Sequence, residues 1–245
     1  MTQLCKALIW LILFVGPVLV LGAAGPARAG TFLIADRAGV NANDSVDWGK
    51  LGPAFTPVPN PFTITSAGGN SLMVSQVTGP FERRDQGFPT GGWNGNFAPG
   101  DHLLWTRGDL GSSGPITIDF GSLAIRAGGA QIQANVADGS KFTAHLKSFD
   151  KFGGLLGEVT EDGLANNAAD NSAIFIGIGS DSAAISKLEF SLDMASSPLG
   201  DFAINQLAFA PVPEPASLAL FGVGTLGLLA YAMRVRRLRA RARPV

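Results

Sequence analysis

Cysteine is almost missing from this chain, which has one, Cys5, in 245 residues. The body of the protein therefore has no intrachain disulfide, no thiolate metal site and no cysteine nucleophile. Histidine is nearly as scarce, with only His102 and His145. Neither His-Glu-x-x-His nor Gly-x-Ser-x-Gly occurs, which removes the two commonest sequence signatures of a zinc protease and a serine hydrolase. Charged residues make up 15% of the chain, against about 25% in an ordinary globular protein. Between the two ends of the chain, no window of twelve residues holds a helical period.

What is abundant is punctuation: 32 glycines and 15 prolines separate short runs in which apolar and polar residues alternate. Thr31 to Asp36 begins the series. Phe62–Thr65 and Ser71–Val77 flank Gly68-Gly69-Asn70 as a hairpin would, and Leu103–Thr106 follows. The second half is more regular. Ile116–Phe120, Gln131–Val136, the Phe142/Ala144/Leu146 run and the Leu188/Phe190/Leu192 run each put apolar residues at every second place. Such alternation predicts antiparallel strands with one dry and one wet face. Ala173–Ile178 is apolar throughout and reads as a central strand. Phe202 and Ile204 have one parity, Leu207 and Phe209 the other, which a bulge at Asn205-Gln206 reconciles. The polar segment Glu161–Ser172 reads as a long loop. About ten short strands in residues 30–209 predict an all-β, two-sheet β-sandwich of jelly-roll type, with a closed barrel as the alternative.

The two ends of the chain differ from this body. Lys6, the apolar run Ala7–Leu21 and the small-x-small sequence Ala27-Arg28-Ala29 make residues 1–29 a signal peptide, cut by signal peptidase after Ala29. At the other end, residues 210–215 form a linker ending in Pro213-Glu214-Pro215, and Ala216–Met233 carries no charge. As a helix this run would span roughly 27 Å, enough for a thin hydrocarbon core, so a transmembrane helix is expected over 216–233. Residues 234–245 follow as a basic tail, in which Arg234, Arg236, Arg237 and Arg239 would hold that end in the cytoplasm. Export at one end and retention at the other predict the same topology, with the body outside the inner membrane.

Pro-Glu-Pro, an apolar helix and a terminal arginine cluster, in that order, resemble the PEP-CTERM sorting signal of exported proteins in Gram-negative bacteria that make exopolysaccharide. The resemblance implies that an exosortase, a membrane-embedded cysteine peptidase, recognises Pro213, Glu214 and Pro215 and removes the tail. It implies an inner-membrane precursor with its domain in the periplasm, destined for the cell surface or the extracellular matrix. Stretches of the body, among them Gly39–Gly49, Gly95–Asp101, Gly129–Gln133, Phe175–Gly177 and Asp201–Asn205, also resemble a recurring type of exported PEP-CTERM protein. That likeness implies fold and location and supplies no catalytic residue.

Setting aside Lys6, Arg28 and the six tail arginines leaves ten of 18 basic residues, and setting aside Glu214 leaves 18 of 19 acidic ones. The body is thus near −8 although the whole chain is −1. An acidic surface argues against nucleic acid as a partner and is compatible with cations and neutral glycans. Asn41, Asn43, Asp44 and Asp47 offer hard oxygen ligands at close spacing, so Ca²⁺ is the one cofactor considered, against an ordinary set of Asx turns. Trp93, Asn94, Asn96 and Phe97 in a glycine-rich loop put aromatic rings beside amides, as a glycan-contact site does, with Trp48 and Trp105 as further rings. Against that stands the burial usual for large aromatics. Glu82-Arg83-Arg84-Asp85 reads as a solvated or mutually paired charge cluster, and His145 as a residue of a wet strand face. No catalytic residue is assigned. The expectation is a non-enzymatic structural or glycan-binding protein of the cell envelope or exopolysaccharide matrix. The alternative is a carbohydrate-active hydrolase, which would show a cleft between two carboxylates.

Overall fold

A computed structural model describes residues 30–88, 90–110, 113–182, 184–193 and 200–212, together with Thr225. Ala27, Ala29, Pro213-Glu214-Pro215 and the arginines of the tail lie outside the described residues, as does the apolar run 216–233 apart from Thr225. Among the described residues no helix is long and apolar enough to cross a membrane.

The alternating runs become strands. In chain order these are β1 (Thr31–Ile34), β2 (Asp44–Val46), β3 (Pro57–Val58), β4 (Phe62–Thr65), β5 (Ser71–Ser75), β6 (Phe81–Gln86), β7 (Gly92–Trp93) and β8 (His102–Trp105). They continue with β9 (Ile116–Asp119), β10 (Ile125–Ala134), β11 (Lys141–Phe149), β12 (Leu155–Leu164), β13 (Ile174–Ser180), β14 (Lys187–Asp193), β15 (Phe202–Ile204) and β16 (Leu207–Pro211). Three short 3₁₀ turns, Ala38–Val40, Trp48–Leu51 and Gly108–Leu110, are the remaining regular elements described.

These strands form two sheets. The first runs β1-β13-β10-β15-β8-β6-β3, with β16 beside β10, β2 beside β16 and β7 beside β6; the second runs β12-β11-β14-β9-β5-β4. All pairings are antiparallel except β6 with β7. From β9 onward the chain crosses repeatedly between the sheets, as a jelly-roll requires. Val46, Ile132, Ile176 and Phe209 from the first sheet, with Trp48 from the 3₁₀ turn after β2, meet Leu72, Ile116, Leu146, Leu188 and Phe190 from the second in one buried core.

The parity change near residue 205 is a bulge, as expected. Ile204 pairs with Ile132 and Ala208 with Gly129 on the same strand β10, so four residue steps face three. The Asn205 side chain fills the gap: its Oδ1 accepts from Gln131 N at 2.9 Å, while its backbone carbonyl accepts from Trp48 Nε1 at 2.8 Å. The Gly68-Gly69-Asn70 hairpin joins β4 to β5 with Gly69 at φ 86°, a left-handed conformation that favours glycine. The loop expected over Glu161–Ser172 starts later, because β12 runs on to Leu164. That strand is the edge of its sheet, with partial cover on one face, so it lacks a clean alternation. The charged stretch Glu82–Asp85 lies within β6, between β3 and β8.

Both ends of the sandwich's chain leave from one side. Thr31 pairs with Ser180, and Asp181 N donates to Gly30 O. Pro211 pairs with Ile125, and Val212 N donates to Ala124 O at 3.0 Å.

Candidate functional site

The aromatic loop is an internal plug. Trp93 and Phe97 are buried with Leu103, Trp105, Ala173 and Ala203 in a second apolar cluster, the Trp93 and Phe97 ring centres 6.2 Å apart. Trp93 Nε1 and Asn96 N both donate to Gln133 Oε1 at 3.0 Å. Asn96 Nδ2 donates to Leu164 O at 3.2 Å and to Ser172 Oγ at 3.3 Å. Asn94 is the one exposed member of the four. Trp48 is also buried. The expectation of an exposed stacking platform on Trp93 and Phe97 is therefore corrected. Their rings gain more from burial in the dry cluster between loop and sheet than from facing water, and a buried ring cannot stack on a sugar.

The acidic loop is spent on the fold. Asp44 is only 6% exposed. Its Oδ1 accepts from Ser45 N at 2.7 Å and Gly68 N at 2.6 Å, and its Oδ2 from Ser66 Oγ at 2.6 Å and Asn70 Nδ2 at 2.7 Å. Burial pushes this carboxyl upward, but the hydrogen bonds from Ser66, Asn70, Gly68 and Ser45 outweigh it and hold the pKa below the ordinary value. Asp47 caps the following 3₁₀ turn through Gly49 N at 2.9 Å and bonds His102 Nδ1 at 2.7 Å. Its pKa is lowered too: burial raises it, and Gly49 and His102 more than compensate. Asn41 takes a left-handed backbone, φ 49°, after the first 3₁₀ turn. Asn41, Asn43 and Asp44 line one shallow depression with Arg37, while Asp47 is turned away to His102. A cation here would compete with donors already seated on Asp44. Among the described residues no group of three or more carboxylate, histidine or cysteine side chains is arranged to hold a metal ion.

The charged strand is paired, and its pairs are mostly buried. Glu82, 5% exposed, lies between Arg84 Nε and Arg107 Nη1, and Arg107 also binds Asp109 at 2.9 Å. Arg83 meets Asp85 at 2.6 Å. The Arg84 guanidinium sits 4.3 Å from the Phe55 ring centre and 4.8 Å from that of Trp105. An acidic sugar would find both arginines already occupied.

The polar arrangement that faces solvent is on the outer face of the second sheet. His145 on β11 bonds Glu158 of β12 through Nδ1 at 2.8 Å and approaches Asp193 of β14 through Nε2 at 3.1 Å. Thr143, two residues earlier, donates to Asp162 at 2.8 Å. A depression of about 480 Å³ opens beside these groups, lined by Lys141, Thr143, Asp162 and Asp193 among others. Both aspartates pair in register with Thr143, one from each side, so their backbones stand two strand spacings, about 9.6 Å, apart. The alternation of β11 placed His145 on this wet face. Its carboxylate partners escaped notice because they come from neighbouring strands, and β12 has no clear signature in the sequence. The arrangement offers carboxylates, a hydroxyl, an imidazole and an amine as hydrogen-bonding groups. Asp193 is 81% exposed, so nothing on this face withdraws its carboxylate from water as a glycosidase acid requires.

No curated protein matches this sequence. Among solved structures, a DUF4465 family protein from Bacteroides caccae shares 13% identity over 77% of this chain and 96% of its own, with a TM-score of 0.36. The accessory secretory protein 1, 2 and 3 structure from Streptococcus pneumoniae shares 10% identity over 69% of this chain and 96% of its own, with a TM-score of 0.15. At these scores neither likeness bears on function. The informative match is local. Residues 211–237 match the PEP-CTERM protein-sorting motif, so the chain carries the sorting signal of an exported protein processed by exosortase.

Proposed function

We propose that this protein is a non-enzymatic component of the cell envelope or exopolysaccharide matrix, held first at the inner membrane by Ala216–Met233 and then released by exosortase. The observation that carries the reading is where the sorting match falls. It begins at Pro211, the last residue of β16, with Val212 still bonded to Ala124. The signal thus follows a finished all-β domain directly. Two further features support the reading. Gly30 and Val212 leave the sandwich from the same end, so an export signal and an anchor attached there can both reach one membrane. Asp44, Asp47 and Glu82 are engaged in holding loops to strands. Contact with neutral glycans would fall to the solvent-facing row around Thr143, Asp162 and Asp193, whose hydroxyl and carboxylates suit sugar hydroxyls.

The test is Glu214→Ala in a host that carries an exosortase. The variant is expected to accumulate as full-length precursor in the membrane fraction, while the parent protein is shortened and leaves it. Normal shortening of the variant would overturn the assignment of Glu214 to the recognition motif.

A further inference from the structure

The end of the sandwich from which the chain departs carries an unusual group of side chains. The β11–β12 turn projects Phe152, 87% exposed, with Leu155 55% exposed behind it. Lys151 Nζ sits 5.0 Å from the Phe152 ring centre. The turn is closed by Asp150, whose Oδ1 accepts from Phe152 N and Gly154 N, each at 2.8 Å. Lys151 and Phe152 line one depression with Gly121, Ala124 and Ser186. Ala124 is the residue whose carbonyl holds Val212. On the other side of that exit, Arg126, exposed, and Phe32, 49% exposed, line a second depression with Pro211 and Val212. Asp119, at the same end, accepts from Gly121 N at 2.7 Å. Asp181 beside Gly30 is a further carboxylate there.

We propose that this end of the sandwich rests on the phospholipid surface while the precursor is anchored, with Phe152 among the headgroups and Lys151 and Arg126 against lipid phosphates. The inference rests on the anchoring of Ala216–Met233 put forward above. The length of chain outside the sandwich carries it. Only Pro213, Glu214 and Pro215 separate Val212 from Ala216. Four residue steps reach at most about 14 Å, and the headgroup layer itself takes roughly 5–8 Å of that. The exit face is thus held within about a nanometre of the headgroups. An exposed aromatic ring flanked by cations is what an interfacial site uses: the ring leaves water and the amine stays with phosphate. The opposite end of β11, where Asp138 is exposed, lies about 30 Å away.

The experiment uses the full chain with Cys5→Ser and one new cysteine, Phe152→Cys or, as reference, Asp138→Cys. Each is labelled with an environment-sensitive fluorophore and reconstituted into phosphatidylethanolamine/phosphatidylglycerol vesicles. Flotation with the vesicles, resistant to alkaline extraction, reports the anchor. The probe at 152 is expected to be quenched by nitroxide lipid and shielded from iodide several-fold relative to the probe at 138. Lys151→Cys serves as a second position and should behave like 152. Protein that floats while the probes at 152 and 138 are equally open to iodide overturns the inference and leaves the anchor standing. Protein that does not float removes the anchor and the inference together. Shielding at 152 that persists in detergent without lipid and rises with protein concentration would assign this face to a second copy and overturn it as well.

Discussion

Asp44 is the residue whose loss should tell most about how this fold is held. Its carboxylate joins β2 to the β4–β5 hairpin through three donors, Ser66, Gly68 and Asn70, with Ser45 N of its own strand as a fourth, two on each oxygen. Hydrogen bonds to a charged group are worth about 1.5–3 kcal/mol each, and removal of a shared acceptor is not additive. Gly68 is exposed and Asn70 half-buried, so water can reach part of the vacated site. Asp44→Ala should then cost about 3–4 kcal/mol, and Asp44→Asn, which sets an amide against two of the donors, about 2–3 kcal/mol. Against a typical total of about 5–15 kcal/mol, either loss is large. The assay is urea unfolding of residues 30–212, followed by the fluorescence of Trp48, Trp93 and Trp105. With a slope of about 2–3 kcal/mol per molar, the midpoint of Asp44→Ala should fall by about 1–2 M. The effect should also depend on pH in one direction. The folded-state pKa of Asp44 lies below the ordinary carboxylate value. Its contribution is therefore full above the unfolded pKa, near 3.9, and is lost as pH falls through the lower folded value. The gap between parent and Asp44→Asn should hold steady from pH 7 to about 5 and narrow below about 4. A loss under about 1 kcal/mol, or one of equal size at pH 7 and well below the ordinary carboxylate pKa, would refute this account of the clamp.

The remaining predictions concern residues that look like surface sites in the sequence. Trp93→Ala should lower the stability of residues 30–212 by about 3–5 kcal/mol, because it opens a cavity beside Phe97 and Trp105 and takes one donor from Gln133. Scored on a glycan array at matched folded fraction, it should bind as the parent does; selective loss of a sugar signal with unchanged stability would restore Trp93 as a contact residue. Calcium should not stabilise the domain. A ligand at a hundred times its Kd adds about 2.7 kcal/mol, a rise of roughly 5–10 °C for a domain of this size. The expected change between EDTA and millimolar calcium is under about 1 °C, and a rise of several degrees would assign a cation to the 41–47 loop.

What could be read from the sequence, and what could not, follows from how far each signal reaches along the chain. Alternation is local, so β9, β11 and β14 were legible residue by residue, and the parity change at Asn205 even revealed a bulge. Strand β6 was not legible: Glu82 and Arg84 are polar in any window and become core-compatible only when Arg107, 23 positions on from Arg84, folds back on them. The same limit separates Trp93 from its role. A tryptophan in a glycine-rich loop looks available, and what buries it is Gln133 on a strand 40 residues later, which accepts from both Trp93 and Asn96. Asp44 is the mirror case: four oxygen-bearing residues in seven positions look like a metal loop, yet the donors that satisfy the carboxylate include Ser66, Gly68 and Asn70, over twenty residues away. In each instance the side chain's chemistry was correctly read, and the identity of its partner decided between a site and a strut. The sorting signal escapes this limit because its parts are contiguous, the motif, the apolar run and the basic cluster needing no partner from elsewhere in the chain to be recognised. Its attachment to the fold is another matter. That Val212 is tied to Ala124, beside the turn that carries Phe152, depends on β16 lying next to β10. Only that pairing turns a short tether into a statement about which face of the domain meets the lipid.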